Sequence, residues 1–113
     1  MVFVKSIVWC GDSLRKIRAF PDAARGEGGH QLNRVQQGID PSDWKPMTTV
    51  GIGVREIRIH QDGEFRVLYV AKFPEAIYVL SAFEKKSRQT PQNEIRLAAD
   101  RLRSVVEERR RQR

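Results

Sequence analysis

The residues with chemistry to offer are cations spaced along two strand-like runs and the segment after a third. They are Arg55, Arg58, Arg66 and Lys72, followed by the basic run Glu84-Lys85-Lys86-Ser87-Arg88. Arginine and lysine so arranged bind phosphates and stabilise the charge that builds up in a phosphoryl transition state. The same pattern also suits a solvated strand edge, where lysine blocks sheet-to-sheet pairing. Residue types alone leave both readings open.

Other catalytic machinery is missing from the sequence. His30 and His60 are the only histidines, with no carboxylate cluster at ligand spacing, so no metal site and no cofactor are expected. Cys10 ends an apolar stretch and reads as a small buried filler rather than a nucleophile. Gly26, Gly28 and Gly29 lack the Lys-Ser/Thr continuation of a phosphate loop, and no serine sits in a nucleophile elbow. His60 reads as a surface histidine beside a turn, since the sequence supplies no partner to orient it. Trp44, in a proline-flanked loop, reads as a plug at the domain edge.

The elements that must position these cations follow from periodicity. Alternation over Val2–Trp9 predicts a first strand, and Asp12 or Ser13 is placed to cap a helix through Leu14, Ile17 and Phe20. Pro21 breaks that helix, and a second, loosely begun among the glycines, runs through Leu32 and Val35. Gly38–Gly53 has no sustained period and reads as a long loop. Val54–His60 and Glu64–Phe73 flank Gln61-Asp62-Gly63, a hairpin signal, and Pro74-Glu75 leads to a third run, Ala76–Phe83. These three strands form an antiparallel meander. Thr90 as N-cap and Pro91 in the first turn open a final helix, with Ile95, Ala98, Leu102 and Val105 in its apolar stripe. The fold class is α+β: an N-terminal strand and two helices, the three-stranded meander, and a C-terminal helix.

On the middle strand Phe65, Val67, Tyr69, Ala71 and Phe73 form the core face, which turns Arg66 and Lys72 toward a concave or solvent-facing surface. Arg55 has the opposite parity to Arg58 and His60, so these three cannot all converge.

With 113 residues, the chain is the size of one domain. Its formal net charge of +7 favours nucleic acid, an anionic membrane surface or an acidic protein as partner. A single cysteine excludes an intrachain disulfide, and no apolar run approaches the roughly 20 residues of a membrane span. A cytoplasmic location with no membrane partner is expected. Six of the arginines fall in residues 101–113, and residues 107–113 read as a basic extension whose Arg109-Arg110-Arg111 frays.

Three segments together resemble a known family: Gly53-Val-Arg-Glu-Ile-Arg-Ile, Asp62-Gly-Glu-Phe-Arg-Val-Leu-Tyr, and Ile77-Tyr-Val-Leu-Ser-Ala-Phe-Glu-Lys-Lys-Ser-Arg-Gln-Thr-Pro. The pattern is similar to the phage-derived, HigB-type branch of the RelE/ParE toxin superfamily. The likeness covers about Gly51 to Val106; the N-terminal half agrees in order and length but not in motif. It implies a RelE-like fold and a toxin of a two-gene toxin–antitoxin module, which cuts mRNA on the translating ribosome without a metal. It implies as partner a helix-turn-helix antitoxin, with which a hetero-oligomer forms.

Carried over residue by residue, the resemblance gives Arg66 the scissile phosphate and Phe83 a stacking role on a base. Lys85 and Lys86 neutralise developing charge, and Arg55, Arg58, Lys72 and Arg88 bind substrate. Family members place a tyrosine or histidine as acid or base near the end of the last strand, whereas this chain has Phe83 and Glu84. Glu84, beside two lysines, reads as an ion-pair partner, so the proton-transfer groups are left unassigned. Two other classes fit the same scaffold: a ParE-type gyrase poison that leaves mRNA intact, and a non-catalytic RNA- or protein-binding module.

Overall fold

The computed structural model describes residues 4–112, so Val2 and Phe3 of the expected first strand lie outside the described residues. Along the chain run β1 (Ser6–Trp9), α1 (Ser13–Arg18), α2 (Asp22–Gln36), β2 (Trp44–Pro46), β3 (Val54–Ile59), β4 (Phe65–Val70), β5 (Ala76–Glu84) and α3 (Gln92–Arg111). The strands form one mixed sheet in the order β1-β5-β4-β3-β2. β3, β4 and β5 pair antiparallel in sequence, as the alternating runs and the turn between them predict. The hairpin bend sits at Asp62 (φ 56°) and Gly63 (φ 130°), where aspartate and glycine tolerate left-handed backbone best. The N-terminal strand joins the far side of β5 in parallel.

Helices cover both faces of the sheet. On one, Ile17, Phe20, Leu32 and Val35 of α1 and α2 pack on Ile57, Phe65, Val67 and Tyr69. On the other, Ala98 and Val105 of α3 pack with Leu68, Val70, Leu80 and Phe83. Leu68, Val70 and Leu80 are fully buried, and each such side chain contributes about 1.5–3 kcal/mol relative to exposure. Every residue of β4 is buried, so the expected division into a core face and an open face does not hold. Arg66, expected to project to solvent, is 5% exposed because β4 is the central strand and the second face is covered too.

Other expectations also change. The supposed loop Gly38–Gly53 contains β2, whose Trp44, Lys45 and Pro46 pair antiparallel with Ile57, Glu56 and Arg55. β4 stops at Val70, and a register shift between Leu68 and Tyr69 breaks simple alternation; Phe73 accordingly joins the α3 side rather than the face of Phe65. α2 begins directly after Pro21 and runs through its glycines; Gly28 lies close enough to Ile17 and Ile59 that a Cβ there would meet their methyl ends at 3.2 and 3.3 Å. Neither Asp12 nor Thr90 makes a capping hydrogen bond, because both side chains bond across the fold instead. The basic C-terminus stays helical to Arg111: Arg109 donates to Glu75 at 2.6 and 3.2 Å and lies 4.0 Å above the Phe73 ring.

Candidate nucleic-acid interface

Strand register aligns Arg58 of β3 with Arg66 of β4, and Arg66 with Phe83 of β5, as one row across the sheet. Two residues before Arg58, and so on the same face, lies Glu56, opposite Lys45 of β2. Glu56 is fully buried. Its Oε2 accepts the Thr90 hydroxyl at 3.0 Å, which is where the expected cap has gone. Its Oε1 faces Arg66 Nε at 3.6 Å, Arg58 Nε at 3.7 Å and Lys45 Nζ at 3.7 Å, yet forms no hydrogen bond of good geometry. One carboxylate thus holds three cations without neutralising them.

The positive surplus opens outward. Glu64, Arg66, Lys85, Lys86, Ser87 and Arg88 line a shallow hollow of about 470 Å³. The Lys85 ammonium has its pKa lowered, first by partial burial and then by Arg66, with Lys45 and Arg58 adding to the effect. A lysine pressed by like charges gains most from an incoming anion. The main chain fixes its position, since the Lys85 N–H donates to the Glu64 carbonyl at 2.7 Å.

His60 enters the site with the partners that the sequence did not reveal. Its Nε2 bonds Asp43 at 2.6 Å and its Nδ1 bonds Glu64 at 2.8 Å. Glu64 Oε1 also accepts from Arg66 Nη2 at 3.0 Å, so His60 and Arg66 share one carboxylate. The hydrogen bond to Asp43, then that to Glu64, raises the His60 pKa above its usual value. His60 is therefore an exposed, oriented imidazolium beside the cation row, able to donate a proton. The loop holding Asp43 is tied down by the Arg58 N–H, which donates to the Asp43 carbonyl at 2.9 Å. Asp43 and Glu64 bond opposite ring nitrogens, and among the described residues no three His, Cys, Asp or Glu side chains converge as metal ligands.

The expected site residues fall into separate groups. Arg58, Arg66, Lys85 and Arg88 share the hollow or its wall. Lys86 lines it but points outward, its side chain 80% exposed and 3.8 Å from Glu84, which is the ion-pair partner expected. Phe83 is 8% exposed and packed in the α3 core, so it walls the row from within and has no free face for a base. Arg55 and Lys72 do not join: they line a different cavity toward the other end of β4. Cys10 is half-buried, and burial raises its thiol pKa, as befits a packing residue.

The family model described as "Phage derived protein Gp49-like (DUF891)" matches residues 15–103, a span that takes in every residue of the cation row and the hollow. The chain belongs to this family. No curated protein matches it. This Gp49-like chain carries its whole candidate interface on β2–β5 and the segment leading into α3. No helix among the described residues is long and apolar enough to cross a membrane.

Proposed function

We propose that this Gp49-like protein is the toxin of a type II toxin–antitoxin module of the RelE/HigB kind, a metal-independent endoribonuclease that cuts mRNA on the translating ribosome in the cytoplasm. The observation that carries this reading is the unneutralised row of Lys45, Arg58 and Arg66 around the buried Glu56, with Lys85 at its mouth. Rigid cations at a partly desolvated site favour a phosphodiester, and favour still more the pentacoordinate state in which its charge rises. In the reaction the 2′-oxygen bonds to phosphorus, the bond to the 5′-oxygen breaks, and a proton reaches the departing oxygen. Arg66 and Arg58 orient the phosphate and Lys85 meets the growing charge. His60 supplies the proton to the 5′-oxygen, and the 2′-hydroxyl proton leaves to water.

The antitoxin is a helix-turn-helix protein with an acidic segment, which both matches the +7 charge and occupies the phosphate position. Induction of the chain in bacteria, with mapping of new 5′-hydroxyl ends, tests the reading. Arg66→Ala strands the buried Glu56, so the informative variants are Arg66→Lys and the surface change Lys85→Ala. Cuts in translated regions should appear with the wild type and fade in both variants. Growth arrest with intact mRNA would move the target to gyrase or another protein. Undiminished cutting by both variants would remove this site from the account.

A further inference from the structure

Arg55 and Lys72, which sequence and resemblance assign to substrate but which the cation row does not use, lie in a second cavity of about 310 Å³. That volume is at the small end for ligand pockets. Its walls are Lys5 ahead of β1, the turn Gly38–Asp40 after α2, Gly53 and Arg55 of β3, and Tyr69, Ala71 and Lys72 of β4 and beyond. Three cations face one acid, Asp40. The end of α2 adds no free negative pole, since the carbonyls of Arg34, Val35 and Gln36 accept the N–H groups of Ile39, Gly38 and Lys5.

Two features make this a built site rather than a patch of surface lysines. The Tyr69 side chain is fully buried, and its hydroxyl has no hydrogen-bond partner of good geometry. Burial raises its pKa against the pull of Arg55, so the hydroxyl stays protonated and has a hydrogen to give. Arg55 is held from two sides, with Trp44 stacked 4.0 Å from its guanidinium and Asp40 accepting from Nη1 at 2.8 Å. Backbone at positive φ keeps the rim open: Gly38 stands at 80° and Gly53 at 85°, and a Cβ on Gly53 would meet Lys72 Cδ at 2.8 Å. A buried donor without an acceptor, beside fixed cations in a concave site, lacks only an anion.

We propose that this cavity is a second anion site, separate from the Glu56 cluster, that takes the phosphate monoester of a nucleotide-sized ligand through Arg55, Lys72, Lys5 and the Tyr69 hydroxyl. The anion displaces Asp40 from Arg55 and accepts from Tyr69. The phosphate belongs to a free mononucleotide or to the 5′-phosphorylated end of an RNA strand. Neither source requires that the chain cleave RNA.

The test is amide NMR of the full chain titrated with 5′-AMP, with inorganic phosphate and adenosine as controls. The 5′-AMP should shift the amides of Gly38, Ile39, Gly53 and Lys72, phosphate should shift them more weakly, and adenosine should leave them in place. Tyr69→Phe, which removes a hydroxyl that bonds nothing in the protein, should weaken 5′-AMP binding by about tenfold through loss of one hydrogen bond to a charged group. Lys72→Gln should weaken it too, and Lys85→Ala should leave it unchanged. A tetranucleotide with a 5′-phosphate that binds more tightly than 5′-AMP identifies an RNA end as the source; equal or weaker binding identifies the free nucleotide. Absence of shifts, shifts confined to the Arg66 and Lys85 region, or wild-type affinity in Tyr69→Phe would each overturn the proposal. RNA cleavage enters none of these readings, so failure here and failure of the nuclease proposal are distinguishable.

Discussion

Replacing Glu56 by glutamine keeps the shape of the side chain and its bond to Thr90 while deleting one buried charge. Arg66, whose side chain is 7% exposed, would retain Glu64 at 3.0 Å and the Phe65 carbonyl at 2.9 Å but lose its inner counter-ion. Deleting one partner of a buried pair costs about 3–5 kcal/mol. The other two cations soften the loss, since the side chains of Lys45 and Arg58 are 39% and 35% exposed and regain hydration. The expected loss is therefore near the low end, about 3 kcal/mol, or roughly 12–24 °C in Tm for a chain of this size. Urea unfolding followed by circular dichroism reads it as a lower midpoint at unchanged slope. Thr90→Val, which removes only the hydrogen bond to Oε2, should cost less, about 1–2 kcal/mol. A loss below about 1 kcal/mol for Glu56→Gln would refute the view that this carboxylate holds the row together.

Other outcomes follow from the same contacts. His60 has a raised folded pKa, so its contribution to stability is complete below the ordinary value of about 6.5 and is lost as pH rises through the raised one. Urea midpoints from pH 5 to 9 should show that alkaline decline in the wild type and a flatter profile in His60→Gln; identical profiles would mean that the ring is not held as described. Glu75 is drawn down to about 2, first by its bond from Arg109. The clamp on the end of α3 should therefore hold above the usual carboxylate range and be lost as pH falls toward 2, with Glu75→Gln speeding amide exchange in the last turn at neutral pH. Gly26→Ala and Gly29→Ala meet nothing within 4 Å and should each stabilise by about 0.5–1 kcal/mol in thermal melts, whereas Gly28→Ala gains less because Ile17 and Ile59 must give way.

The parts of the fold that were legible are those whose signals are local. Asp62-Gly63 between alternating runs marks the β3–β4 hairpin, and the stripe through Ile95, Ala98, Leu102 and Val105 marks α3. β2 was hidden because three residues ending in Pro46 carry no periodicity; only pairing with β3 makes them a strand. The parallel docking of β1 on β5 joins positions some seventy residues apart and leaves no local trace. In the candidate site, Arg58, Arg66 and Lys85 were found from charge and parity together with the family pattern. Glu56 escaped notice because Arg-Glu-Ile-Arg looks like a solvated edge until α3 and Thr90 close over it. His60 was missed because its partners, Asp43 and Glu64, come from the far side of β2 and of the hairpin turn. Phe83 was misjudged because strand position predicts a side chain's face but not what covers that face.

The most direct test of the nuclease account is to add the purified chain to ribosomes programmed with a defined mRNA and to read the new RNA ends. The account predicts 5′-hydroxyl ends inside the translated region with the wild type, strongly reduced ends with Lys85→Ala, and none on mRNA without ribosomes. Intact mRNA on programmed ribosomes, or equal cutting by wild type and Lys85→Ala, would contradict it.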